Sequence, residues 1–416
     1  MNGDCIFSHP ATMQLPSFNF RSLGLTLFLA GVYIATARLG LTLALPPEAK
    51  ATAVWPPSGI AFAAVVLVGR RAWPGILLGA FLANFWDYFS GTDPRMATHF
   101  VVSAGIAVGS TAQALLGGWL VQRWIGGSGI LDRTRSAFRF MGIALLVCVV
   151  ASTTGVTTMC LVHFAPWAHY GFNWRTWWVG DTIGILVVTP LVLVWSRRPR
   201  LAGKSWLVAE AGLLWLAVLG LGLCIFERWD LRGIDTGYLA YLTIPPLVWA
   251  AFRFGRYGAT ATLVLMSGLA VLGTAQGHGP FVRPTLNQSL LLLQMFVGVL
   301  TVTTLALVAD LAERRQAKEE QAHLMVQLFE ALEEIKTICG LIPVCAWCKK
   351  VRTDTGAWEQ MEYYLSKRLE ATFTHGVCPQ CTKKIVEEEG LDEHPPSNIQ
   401  LPSALAKASA DKTSKA

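Results

Sequence analysis

The stretch Trp55-Pro56-Pro57-Ser58-Gly59-Ile60-Ala61-Phe62-Ala63-Ala64-Val65-Val66-Leu67-Val68-Gly69-Arg70-Arg71-Ala72-Trp73-Pro74-Gly75 decides how the chain is read. Two prolines open an uncharged apolar run. The run stops at a glycine and two arginines, and a second apolar run starts after Pro74-Gly75. Proline removes a backbone donor and is tolerated in the first turn of a helix. An apolar run that ends on paired basic residues has the pattern of a membrane segment meeting its cytoplasmic edge. A second version stands at Ile244-Pro245-Pro246-Leu247, leading to Arg253, Gly255, Arg256 and Gly258. The two read as a diverged duplication in parallel orientation. Inside a bilayer, backbone groups freed by a break need protein, water or a ligand. Paired interrupted segments in two halves of a chain can therefore mark a binding site. The alternative is two ordinary helix starts.

Working outward, the composition agrees. Of 416 residues, 53% are hydrophobic and 15% charged, and mean hydropathy is +0.45. A soluble domain carries about a quarter charged residues, so a wholly soluble protein is excluded. Nine cysteines are too few for a secreted disulfide scaffold. Spans are expected at 22–44, 52–69, 73–90, 97–120, 138–162, 176–195, 206–226, 238–252, 258–275 and 288–309, about ten, some of them Pro-broken. With a cytoplasmic N-terminus, 13 of the Lys and Arg residues before Asp310 fall on inside segments and six on outside loops. That bias sets orientation and places both termini in the cytoplasm of a multi-pass inner-membrane protein. Residues 1–309 carry net charge +10 and residues 310–416 carry −3. The basic residues thus serve topology in the lipid bilayer, and no nucleic-acid partner is expected.

Ionisable groups within apolar spans are costly and are commonly functional or paired. Here they are Arg38, Asp87, Asp181 and Glu210, with Asn84 as a neutral polar neighbour. Asp181, in Thr176-Trp177-Trp178-Val179-Gly180-Asp181, is expected to pair with Arg38 or to face a polar ligand, and equally to be a solvated carboxylate near the interface or a helix–helix hydrogen-bond partner. Glu210 is expected to reach water at the inner end of its span. His163 and His169 flank an outer loop with Trp167 and lack a third metal ligand, so they read as solvated. The ligand-binding candidates are Trp55, Pro56, Pro57, Ser58, Asn84, Trp177, Asp181 and Arg38, with no cofactor evident in the membrane part.

Beyond Asp310 the chain becomes charged. Met325, Leu328, Leu332, Ile335, Cys339 and Ile342 are spaced 3, 4, 3, 4 and 3, a heptad seam. A stalk helix over 310–338 joining two copies of the chain is one reading. An amphipathic helix folded on its own domain is the other. His323 reads as a solvated histidine, since no ATP-binding region follows it.

Residues 339–390 contain Cys345-Ala346-Trp347-Cys348 and Cys378-Pro379-Gln380-Cys381, a C-x2-C-x29-C-x2-C pattern. Two such pairs supply four thiolates for a tetrahedral ion, and cytoplasmic placement disfavours disulfides. The expectation is a small zinc-knuckle-like domain with a structural zinc ion. Its ligands are Cys345, Cys348, Cys378 and Cys381, with His375 as a substitute. A helix is expected near 358–370 and another after the second pair. Residues 391–416 read as a disordered tail.

Residues 22–311 resemble the first type of bacterial membrane-associated sensor (MASE) domain. The resemblance rests on Trp55-Pro56-Pro57-Ser58-Gly59-Ile60, Arg70-Arg71-Ala72-Trp73-Pro74-Gly75, Leu78-Gly79-Ala80-Phe81-Leu82-Ala83-Asn84, and Thr176 to Asp181 through Thr189-Pro190-Leu191. The family's Asn-x-x-Glu-Ala-Leu stretch reads Ser110-Thr111-Ala112-Gln113-Ala114-Leu115 here, so both polar anchors differ. Residues 339–386 are similar to a Cys-rich module at the ends of bacterial sensor and response-regulator proteins. That likeness rests on Leu341 to Arg352, Trp358, and His375 to Cys381. The resemblance implies a membrane sensor and leaves the activity of the tail open; with the residue reading, the expectation is an all-α polytopic protein in which a stalk relays a membrane or periplasmic stimulus to a metal-stabilised tail that recruits a separate effector protein. No kinase box, cyclase loop or phosphodiesterase signature occupies the tail, so no enzyme is expected. A transporter or channel with a regulatory tail is the competing expectation.

Overall fold

The computed structural model describes residues 20–43, 52–90, 95–197, 205–226, 238–336, 342–368, 372–374 and 376–389. The expected disordered tail at 391–416 and most of the N-terminal segment 1–21 lie outside these residues. The chain divides into two compact units, Met1–Gln321 and Ala322–Ala416.

The first unit is helical: α1 (Phe20–Thr42), α2 (Pro56–Val68), α3 (Trp73–Ser90), α4 (Met96–Trp124), α5 (Thr134–Leu161), α6 (Tyr170–Ser196), α7 (Ser205–Phe226), α8 (Ile244–Ala275) and the start of α9 (Leu286–Lys336). Eight stretches among the described residues are long and apolar enough to cross a membrane, where the sequence suggests ten. The difference lies at the two Pro-Pro segments. Each is fused to its successor in one helical stretch, Pro56–Trp86 and Leu239–Ala275.

Fusion does not mean a straight rod. Gly40 near the end of α1 abuts Trp55 and Pro56 at the start of α2, so α2 runs against α1. Gly75 and Gly79 of α3 face Thr26 and Tyr33 of α1 in that order, so α3 runs with α1. The chain therefore reverses between α2 and α3, at Gly69 (φ 71°, ψ −154°). The second half repeats the device. Arg253 pairs with Glu210 near the start of α7, whereas Gly273 abuts Phe226 at its end. Within α8 the backbone leaves helical geometry at Gly255 (φ 60°, ψ −145°), and its two legs run in opposite directions. At 13 residues, α2 is about 20 Å long, against about 30 Å of hydrocarbon. The Pro-started legs are thus half-helices.

Glycines let helices touch backbone to backbone. A side chain on Gly59 would strike the Gly184 carbonyl, and one on Gly184 the Trp55 carbonyl, so α2 lies directly on α6. The Trp55 N–H donates to the Gly180 carbonyl (3.1 Å) and the Thr189 hydroxyl to the Gly59 carbonyl (2.9 Å). The central core, including Phe62, Phe140, Ile143, Val147, Ile185, Leu305 and Val308, packs around this contact.

At the arginine-rich end, α9 caps two other helices. Glu313 accepts the N–H of Thr134, first residue of α5 (3.0 Å). Arg315 donates to the Phe252 carbonyl (2.7 Å), in the last turn before the Gly255 break. Both groups are backbone orphans that a helix end leaves unpaired. Asp132 holds Arg256 and, at 3.7 Å, Arg197.

The second unit contains the end of α9, a two-stranded antiparallel sheet of β1 (Val351–Arg352) and β2 (Trp358–Glu359), α10 (Met361–Ser366) and α11 (Pro379–Glu389). Trp358, expected on a helix, pairs with Arg352 in the sheet, and the helix shrinks to α10. The tight turn at Thr353–Ala357, with Gly356 at φ 84°, selects the hairpin. Residues 310–336 of the expected stalk continue α9, one helix of 51 residues that starts at Leu286. Met325, Leu328 and Leu332 are exposed on it. The side chain of Ile335, and Cys339, lie outside the described residues.

Candidate functional site

The start of α2 places Ser58 next to Gly59, within the α2–α6 contact and facing α6. There the Ser58 hydroxyl donates to Asp181 Oδ1 (2.9 Å). Gln113 of α4 is the second side chain hydrogen-bonded to Asp181. Asp181 is 8% exposed. It has no ion-pair partner among the described residues. The expected pair with Arg38 is not formed, since the Arg38 guanidinium stacks over Trp86, 5.6 Å from the ring centroid. Beside this network the Tyr33 hydroxyl is hydrogen-bonded to the side chains of Ser110 and Trp55.

Asp181 forms part of the wall of a cavity of about 860 Å³. Trp55, Asn84 and Trp177 line it too, so four of the eight residues singled out in the sequence converge on one space. Ser58 joins through its bond to Asp181. Pro56 and Pro57 shape the cavity indirectly, by starting α2. Arg38 is not on the wall. The Asn84 amide donates to the Ala80 carbonyl (2.8 Å), which leaves its side-chain oxygen as an acceptor. The side chain of Asp87 lies outside what is described. Glu210, expected to reach water at the inner end of its span, is partly exposed there and accepts from the Arg253 Nε at 2.6 Å.

Sequence reading missed several wall residues: His99, Ser103, Asn173 and Asn287. His169, taken as a solvated loop residue, is exposed and also on the wall, and His163 is exposed as expected. One signal was available. His99, Ser103, Ser110 and Gln113 share one face of α4 at helical spacing, a polar stripe in an apolar helix.

The chain matches MASE1, the membrane-associated sensor domain, over residues 25–315. It belongs to the MASE1 family. Neither the curated proteins nor the solved structures hold a match to it. The MASE1 region covers the cavity, both reversals and the helix-capping residues Glu313 and Arg315. It ends before the two C-x2-C pairs.

In the second unit the two cysteine pairs adopt similar turns. Cys345 lies between the Lys350 carbonyl, which its N–H reaches at 2.8 Å, and Lys349, whose N–H returns to the Cys345 carbonyl at 3.0 Å. Lys349 takes φ 60° to close the turn. Backbone N–H groups of Cys348 and Trp347 pull the Cys345 thiol below the ordinary thiol range. The Cys381 N–H, followed by the Cys381 thiol and the Gln380 N–H, does the same for Cys378, and Cys378 pushes Cys381 upward. Two N–H groups aimed at the first sulfur of each pair favour a thiolate, the form that binds metal. The donor set fits a structural zinc ion. Among the described residues, however, no three metal-binding side chains are gathered, and His375 lies outside them.

Proposed function

We propose that this MASE1 protein is an inner-membrane signal-transduction sensor in which occupancy of the Asp181 cavity is relayed along α9 to the cysteine-rich tail. One observation carries the reading. Asn287, in the first turn of α9, is on the cavity wall, and the same helix runs to Lys336. A ligand on Asn287 therefore touches the element that leads to the tail. A signal arises only if the ligand favours one of two helix arrangements.

The charge asymmetry supports an orientation with the arginine-rich end, Glu313 and Arg315 in the cytoplasm. The exposed heptad positions Met325, Leu328 and Leu332 support a stalk shared by two copies of the chain. Cys345, Cys348, Cys378 and Cys381 would hold a zinc ion, which supplies fold to a tail in which Val351 is the one fully buried hydrophobic residue among those described. The tail recruits a separate effector protein and has no catalytic role of its own.

The test fills the cavity. Asn84→Trp is introduced beside Leu328→Cys in the full chain, and oxidative crosslinking between copies is followed in vesicles. A changed crosslink yield is expected. An unchanged yield overturns the relay. The paired half-helices around Gly69 and Gly255 favour a second reading, a transporter with a regulatory tail. Solute flux through reconstituted vesicles would decide for it.

A further inference from the structure

We infer that the MASE1 cavity of this chain takes an organic cation, an ammonium group carried on an apolar or aromatic body. The inference rests on the cavity being the input site and adds the chemistry of the ligand.

Four features converge. The volume, about 860 Å³, suits a small organic molecule. Its wall contains one carboxylate, Asp181, and no Lys or Arg among the described residues. Asp181 is held by two neutral donors, Ser58 and Gln113, that orient it without cancelling its charge. Trp55, Trp177 and Phe164 are on the same wall, and aromatic rings attract cations, most strongly where water is excluded. Asn84 contributes an acceptor oxygen for an N–H group.

A half-helix start in a membrane commonly favours an anion, through its free N–H groups. Here that effect is blunted. Pro56 and Pro57 have no N–H, and the Ser58 N–H is directed at the Trp55 carbonyl (3.3 Å). The first turn of α2 thus keeps few donors for an anion, and a carboxylate stands beside it. The other titratable groups on the wall are His99 and His169. Asp181→Asn, with both histidines left in place, isolates the contribution of Asp181.

The experiment uses the full chain in lipid nanodiscs at pH 8, with calorimetric binding of four probes. Tetramethylammonium and 2-phenylethylammonium are the cations, 2-phenylethanol the neutral analogue and phenylacetate the anion. The expected result is that 2-phenylethylammonium binds at least tenfold more tightly than 2-phenylethanol and that phenylacetate does not bind. Asp181→Asn keeps an oxygen for the Ser58 hydroxyl and is expected to weaken the cation at least tenfold with an unchanged melting temperature. Trp177→Ala is expected to weaken the cation by removing one aromatic ring from the wall. Phenylacetate binding as tightly as the cation, an undiminished Asp181→Asn variant, or no ammonium binding at millimolar concentration each overturns the assignment. Stalk crosslinking in the same samples separates the two readings. Cation binding without any crosslink change removes the relay and keeps the cation. A crosslink change on cavity filling, without cation binding, keeps the relay and removes the cation.

Discussion

Gly69 and Gly255 share one backbone conformation, φ 71° and ψ −154° against φ 60° and ψ −145°. Each ends a short helix that began with two prolines, and each has arginine close by. This region of backbone space is essentially reserved for glycine. The match makes the two halves of the membrane unit versions of one motif.

Alanine at either position should therefore destabilise the chain by about 1–3 kcal/mol. At Gly69 a methyl group has open space, so backbone strain alone is measured. At Gly255 it also meets the Arg315 guanidinium at 3.2 Å, so that variant should lose more. Gly142→Ala, in a helix with open space around it, is the control and should be neutral or stabilising. Thermal unfolding in detergent measures all three.

Much of this architecture was legible in the sequence, and the reason is local. Proline pairs, apolar runs and arginine clusters carry their meaning within about 20 residues, so the broken segments, their kinship and the membrane setting could be read directly. Convergence of Trp55, Asn84, Trp177 and Asp181 was half legible, because intramembrane polar groups announce themselves one at a time. Which of them meet was not. Arg38 and Asp181 have opposite charges, yet Arg38 finds a tryptophan face and Asp181 two neutral donors. The helix-capping roles of Glu313 and Arg315 were hidden for a related reason. They serve Thr134 and Phe252, 179 and 63 residues away, and in sequence they look like solvated charges on a helix leaving the membrane. The difference between eight and ten is one of joining, because each fused stretch holds two opposed legs that meet at Gly69 or Gly255, and a 13-residue leg needs its neighbours to complete its passage.

Removing those caps should loosen two specific helix ends. Arg315→Ala exposes the Phe252 carbonyl and Glu313→Ala the Thr134 N–H, each at about 1 kcal/mol. Hydrogen exchange should rise around residues 252–256 in the first variant and around 134–137 in the second. Arg315→Lys, which keeps a donor, should restore part of the protection. If exchange rises equally across all helices, the caps are not local and the assignment of these bonds fails.

The α2–α6 contact should be less forgiving. Gly184→Ala drives a methyl group into the Trp55 carbonyl, backbone against backbone, with no flexible side chain to yield. It should separate Ser58 from Asp181 and reduce folded yield severely. Ser58→Ala removes only one donor from a buried carboxylate and should cost about 1–3 kcal/mol. Comparing the two by size-exclusion recovery and melting temperature tests whether helix approach or the hydrogen bond sets the site. Equal effects would argue that the glycine contact is incidental.

Metal removal tests the tail. With so little buried in the second unit, its hairpin around Val351 needs another source of order. A chelator should therefore abolish exchange protection at the β1–β2 hydrogen bonds while leaving the membrane helices protected. Elemental analysis of the purified chain should give one zinc per chain, and less than half of that after Cys378→Ser and Cys381→Ser together. Serine is close in size to cysteine and keeps the turn sterically possible, so loss of the ion reports on ligation. Because metal-binding thiols must shed their protons, zinc retention should also weaken as pH falls. Full zinc content in the double variant would show that the second cysteine pair is not a ligand set, and the order of the hairpin would then have to come from Val344, Val351 and the Thr353–Ala357 turn alone.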